Sequence, residues 1–186
     1  MLLSHDTAFA DFEPIPEPVA GFSGKTLVET PDGWRSVNSL RAGDRVATVD
    51  GGFAQLNAVI AFANAHARAW RVPGGTLGAC SDLTLYDGQY LALNGPCCRQ
   101  LFGLPTVLAP AGALVGFEGI HRATASAQPA YQLRFAEEEL VWAQTGVRIL
   151  APGAGSASWY QRLDYGQTRA LLLLMSGGTL APDIAA

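Results

Sequence analysis

The chain has 186 residues, enough for one domain with a sizeable core plus flanking tails. Apolar residues make up 49% and charged residues only 15%, which excludes a disordered chain and leaves apolar surface over for a partner. The net charge is −4 and the basic residues are scattered, so no Arg/Lys stripe marks a nucleic-acid site.

Residues 1–12 contain Asp6 and Asp11 and lack a basic stretch followed by an apolar run. They predict no signal peptide, and hence a cytoplasmic protein or one exported by a signal-independent route. Pro14, Pro16 and Pro18 alternate around Glu17. Alternating prolines forbid a helix, so residues 1–20 read as an extended, polyproline-like arm.

From Phe22 onward, short apolar stretches alternate with turn residues. Residues 26–30 predict a strand, closed by Pro31-Asp32-Gly33 and followed by a return strand over 34–37. Further strands are predicted over 45–49, 54–63, 70–72, 83–86, 90–93, 106–109, 131–135 and 140–144. Asp87-Gly88, between two of them, has the composition of a hairpin turn. Many short strands with frequent turns indicate an all-β domain rather than βαβ units.

Residues 151–156 form a Gly/Pro breaker. Beyond it, 158–176 predict one helix, capped by Ser158 and interrupted or bent at Gly166. Residues 171–175 are apolar on every face, so this segment packs on the β domain or on a neighbouring subunit. The apolar run 170–175 is far too short to span a membrane.

Cys80, Cys97 and Cys98 are odd in number and lack framework spacing, which argues against a disulfide scaffold. The adjacent pair reads as free thiols in a buried loop, with a strained vicinal disulfide or a share in a metal site as alternatives. His5, His66 and His121 have no ligand spacing, so neither a metal nor a cofactor is expected. Glu137-Glu138-Glu139 reads as a solvated hairpin turn. Trp34, Trp70, Trp142 and Trp159 are dispersed, as core or interface packing residues are.

Two stretches go beyond generic β patterning. Gly21-Phe22-Ser23-Gly24-Lys25-Thr26-Leu27-Val28-Glu29-Thr30 leads into the first turn, and Val37-Asn38-Ser39-Leu40-Arg41-Ala42-Gly43-Asp44-Arg45-Val46-Ala47-Thr48 follows it. In the second, Leu40 packs a short turn on the core, Gly43 permits positive φ and Asp44 caps the turn. Together they resemble the first two blocks of Hint (hedgehog/intein-like) domains. Those blocks read Cys-Phe-x-x-(Gly/Asp)-Thr-x-(Val/Ile)-x-Thr, then Val-x-x-Leu-x-x-Gly-Asp-x-Val-x-Thr. Residues 83–93, 107–116 and 131–143 are similar to later segments of bacterial members, so the resemblance covers about residues 21–150.

The resemblance implies an all-β horseshoe of short strands and hairpins over 21–150, preceded by the arm and followed by a C-terminal linker and helical segment over 151–186. It further implies that the strands at 131–135 and 140–144 pair as a hairpin. Active members begin with a Cys or Ser that attacks the carbonyl just upstream, and a His in the middle block gives acid–base help. In this sequence the nucleophile position falls on Gly21 and the His position on Gln89, and no His-Asn pair occurs. Gly21, Ser23, Thr84 and Gln89 would then line a vestigial cleft, with Gly21 and Gln89 facing each other.

The resemblance therefore points to a degenerate, non-catalytic module. Its role would be protein interaction or assembly, through a protein partner or self-association by the apolar C-terminal segment. One alternative is self-cleavage through Ser23 as a displaced nucleophile, with His66 or His121 as base, or through Cys80. Another is a structural part of a larger particle. Ser23 otherwise reads as a turn residue bonded to nearby backbone, and Thr84 as a strand residue.

Overall fold

In the computed structural model, residues 20–63, 68–124, 128–155 and 158–177 are described. Residues 1–19, all but the last residue of the expected arm at 1–20, and His66 lie outside them. Fourteen strands and two α-helices follow along these residues. They are β1 Phe22–Ser23, β2 Leu27–Thr30, β3 Gly33–Ser36, β4 Arg45–Thr48, β5 Gly52–Gln55, β6 Ala58–Phe62, β7 Ala69–Val72, β8 Leu83–Tyr86 and β9 Tyr90–Asn94. Then come α1 Pro96–Phe102, β10 Thr106–Pro110, β11 His121–Ala123, β12 Ala130–Arg134, β13 Glu139–Ala143, β14 Val147–Ala151 and α2 Tyr165–Met175.

The strands form two antiparallel sheets. One runs β11-β7-β8-β1-β12-β6, and the other runs β10-β9-β14-β13-β2-β3 with β4 and β5 attached through β13. Alternation decides which side chains meet between them. Phe22, Leu85 and Leu133 from the first sheet join Val28, Val141 and Ile149 from the second in one core, which Leu171 and Leu172 of α2 extend. An all-β domain of short strands is what the turn-rich pattern predicts.

Three pairings differ from the sequence expectation. The stretch 54–63 is two strands in different sheets. The chain crosses at Leu56, whose N–H donates to the Asp44 carbonyl, and Asn57, whose N–H donates to the Arg134 carbonyl. Asp87-Gly88 does sit in a tight turn, closed by Gln89 N–H to the Tyr86 carbonyl at 2.8 Å. It is not a hairpin, because β8 belongs to the first sheet and β9 to the second. Nor do β12 and β13 pair. β13 instead forms its hairpin with β14, in register from Glu139↔Ala151 to Ala143↔Val147. Turn chemistry reports a local reversal but not which strand receives the hydrogen bonds afterwards.

The C-terminal segment also divides differently. Asp164, not Ser158, caps α2: its carboxylate accepts the Gln167 N–H at 2.8 Å, while Gln167 Oε1 accepts the Asp164 N–H. Gly166 falls in the first turn and interrupts nothing. Residues 158–163 are an extended strap along the edge strand β10, held by Leu108 N–H to Gln161 O and Leu163 N–H to Leu108 O, both 2.8 Å. This contact covers an otherwise open sheet edge. In the apolar run, Leu171 and Leu172 are fully buried, but Leu173 and Leu174 are 42% and 38% exposed. The helix therefore buries only one face.

The triple-glutamate stretch is not a solvated turn. Glu138 is buried; its carboxylate accepts the Trp159 N–H and pairs with Arg162, anchoring the strap. Cys97 and Cys98 are free thiols in α1 rather than in a loop, and Cys98 is buried.

Candidate functional site

β1 is short, but it lies inside the first sheet between β8 and β12, with Phe22 paired to Leu85 on one side and Tyr131 on the other. Gly21 immediately precedes it. Its carbonyl accepts the Tyr86 N–H at 2.9 Å, and the Tyr86 carbonyl accepts the Gln89 N–H. Gly21 and Gln89 are thus joined through Tyr86 by two main-chain hydrogen bonds, although the sequence separates them widely.

The side chains tell a different story from the backbone. Gln89 is buried, and its Nε2 donates to the Leu150 carbonyl at 2.8 Å and the Tyr90 carbonyl at 3.0 Å. Its own carbonyl accepts the Ala111 N–H at 2.7 Å. The amide is therefore committed to tying β9 to β14, and an amide neither takes up nor releases a proton near neutral pH.

At Gly21 there is no room for a side chain. A Cβ built there would lie 2.8 Å from the Tyr131 carbonyl oxygen and 2.9 Å from Phe62 Cζ. Phe62, at the end of β6, packs with Tyr86, Ala69 and Ala130 in a small apolar cluster against this point. Sequence reasoning missed Phe62, because β6 reaches β12 only through long-range pairing.

The other expected residues are dispersed. Ser23 Oγ accepts the Lys25 N–H at 3.3 Å, and Thr84 is half-buried opposite Arg71. His121 lies on β11 at the far edge of the sheet, exposed, with Nδ1 2.8 Å from the Gly119 carbonyl. β8 and β7 separate β11 from β1, which puts His121 about 14 Å across the sheet from Ser23. It supplies no base there. Cys80 is exposed, and hydrogen bonding to Thr145, then to Ser81, pulls its thiol below the usual range. It lies on the loop after the short 3-10 turn Thr76–Gly78, its N–H donating to the Gln144 carbonyl, and not at the Gly21 site.

Asp87 lies in the tight turn that follows β8. Asp87 Oδ1 accepts the Trp70 indole N–H at 2.8 Å, and its own N–H donates to Arg68 O. Gly112 leaves space for that carboxylate, since a Cβ there would collide with Oδ1. Among the described residues, no group of three His, Cys, Asp or Glu side chains is placed to hold a metal, and no helix is long and apolar enough to cross a membrane.

A family model described as the Hint domain matches residues 20–147. Among solved structures, the chain is similar to the bacterial intein-like domain from Clostridium thermocellum, at 14% identity and a TM-score of 0.49, covering 72% of this chain and 97% of that one. It is also similar to the MchDnaB-1 intein, at 12% identity and TM-score 0.45 over 69% of this chain and 98% of that chain. The gp41-1 intein aligns at 11% identity and TM-score 0.44, over 72% and 98%. No curated protein sequence matches.

Proposed function

The chain belongs to the Hint-domain family, and on that premise we propose that it is a member without self-cleavage, retained as a module for protein interaction or assembly. The observation that carries this reading is the filled space at Gly21. A nucleophile at that position must project a heteroatom toward the Ala20 carbonyl, and nucleophilic catalysis tolerates little misplacement. Here the Tyr131 carbonyl and the Phe62 ring stand where the first side-chain carbon would be. The second role is also given over to structure, since the Gln89 amide bonds two carbonyls of the second sheet.

The interaction half of the proposal rests on apolar surface that the fold leaves outside. Trp159 is 64% exposed on the strap, and Leu173 and Leu174 face outward on α2. Exposed apolar side chains on adjacent C-terminal elements fit a protein partner or a second copy.

Intact mass tests the first half. Purified protein is held with a thiol or with hydroxylamine, which intercept a thioester or ester. Full-length mass throughout is the expected result; a fragment beginning at Gly21 or Ser23 overturns the reading, the latter in favour of Ser23 as nucleophile. Light scattering and gel filtration of Leu173→Lys with Leu174→Lys test the second half. A wild type that self-associates where the variant does not supports assembly through α2.

A further inference from the structure

Beside the ends of β9 and β14 lies a cleft of about 130 Å³. Leu77, Leu91, Leu93 and Met175 give it apolar walls, and Asn94 and Arg148 bring polar groups to it. A cavity of about 150 Å³ accommodates a benzene ring, so this one has space for roughly five or six non-hydrogen atoms.

Arg148 is the cation of this cleft. Arg35, Arg71 and Arg162 each pair with a carboxylate, whereas Arg148, like Arg45, Arg134 and Arg169, has no carboxylate among the described residues. It donates through Nη2 to Asn94 Oδ1, and its guanidinium carbon lies 5.5 Å from the centre of the Trp142 ring. Its Nε–H is closed off from solvent and has no acceptor. Burial pulls the guanidinium pKa down, and the ionisable neighbour coupled to it is the Cys98 thiol, which burial keeps protonated. That Nε–H is out of a ligand's reach, but the half-buried guanidinium still has no anion beside it, which costs free energy unless one answers it from the cleft.

We propose that this cleft binds a small carboxylate on a short apolar group, the carboxylate pairing with Arg148 and the apolar part lying against Leu77, Leu91, Leu93 and Met175. A guanidinium suits a carboxylate because its N–H groups fan out in one plane and meet both oxygens. The limited volume excludes long acyl chains. The cleft belongs to the second sheet, away from Gly21, so the inference stands whether or not the chain cleaves itself.

Calorimetric titration with butanoate and with 1-butanol, both small enough for the cleft, separates charge recognition from simple apolar filling. The expected result is butanoate binding at least about tenfold tighter than butanol, the size of one modest charge-assisted pair. Arg148→Met, checked for folding by circular dichroism, removes that preference; Arg148→Lys keeps part of it. Should Arg148→Met fail to fold, the wild-type comparison and Arg148→Lys still decide. Acetyl-Ala-Ala, of which only the terminal carboxylate and methyl group would enter the cleft, tells a chain terminus from a free acid as the source of the carboxylate when compared as the free acid and as the amide. Binding of either acid over its neutral counterpart upholds the site. Equal binding of butanoate and butanol, no binding of either acid, or undiminished binding by a folded Arg148→Met overturns it.

Discussion

The ring of Phe62 stands in the space that a β-carbon on Gly21 would need: a Cβ built there would meet Phe62 Cζ at 2.9 Å. The ring belongs to β6 and the glycine precedes β1, with β12 paired to both strands between them. The space a side chain at Gly21 would enter is thus already filled. A cysteine restored at this position must displace an aromatic ring and also clear a backbone carbonyl.

Gly21→Cys combined with Gln89→His restores the two residue types, yet no thiol-dependent cleavage after Ala20 is expected. Overpacking of this kind costs about 1–3 kcal/mol, so the melting temperature should fall. Adding Phe62→Ala should recover part of the loss. Intact mass and thermal melts of the three variants check this; cleavage in the double variant would show that the site yields more readily than its packing indicates.

Gln89→Leu keeps the volume but removes both donors to the Leu150 and Tyr90 carbonyls. Unanswered buried acceptors cost about 1–3 kcal/mol, and urea denaturation should register a loss in that range. A variant as stable as wild type would mean that the amide contributes nothing to joining β9 and β14.

Glu138→Gln should loosen the strap without unfolding the domain. Glu138 pairs with Arg162 and accepts the Trp159 N–H, so both ends of residues 158–163 depend on it. Hydrogen exchange at the Leu108 and Leu163 amides, which bond across the strap, should accelerate, while Phe22 and Ile149 in the central strands stay protected.

Tyr160 gives stability a dependence on alkaline pH. Burial raises the phenol pKa first, and the hydrogen bond to Asp50 together with the charges of Asp50, Glu139 and Glu138 raise it further. The folded pKa lies above the unfolded value of about 10. The stabilisation is therefore complete below pH ~10 and is lost as the pH rises above it, because only the unfolded chain then ionises freely. Tyr160→Phe should be less stable at neutral pH by about 1 kcal/mol, and the gap should narrow above pH ~10. Denaturant midpoints of both proteins between neutral pH and pH ~11 check the sign.

Leu172→Ala empties a fully buried position where α2 meets the core, at an expected cost of about 2–5 kcal/mol. Leu173→Ala, on the exposed face, should change stability little. Removing residues 158–186 takes away strap and helix together, uncovers the β10 edge and should make the chain aggregate. Soluble truncated protein with an unchanged melting temperature would show that the C-terminal elements are dispensable to the fold.

The pattern of residues was enough to establish the class of fold, the hairpin of β2 and β3 around Pro31-Asp32-Gly33, and the strand limits at Leu83–Tyr86. It also established that Gly21 brings no nucleophile and Gln89 no proton carrier. Those are local properties: alternation, turn chemistry and side-chain identity act within a few residues. Which sheet each strand joins was decided only in three dimensions. Asp87-Gly88 has hairpin composition but links two sheets, and β13 turned to β14 rather than to β12. The same holds for the ring of Phe62 against Gly21, the burial of Glu138 under the strap and the idle Nε–H of Arg148. Each depends on partners far away in sequence, whose meeting follows from the packing of two sheets around one core and leaves no trace in local propensity.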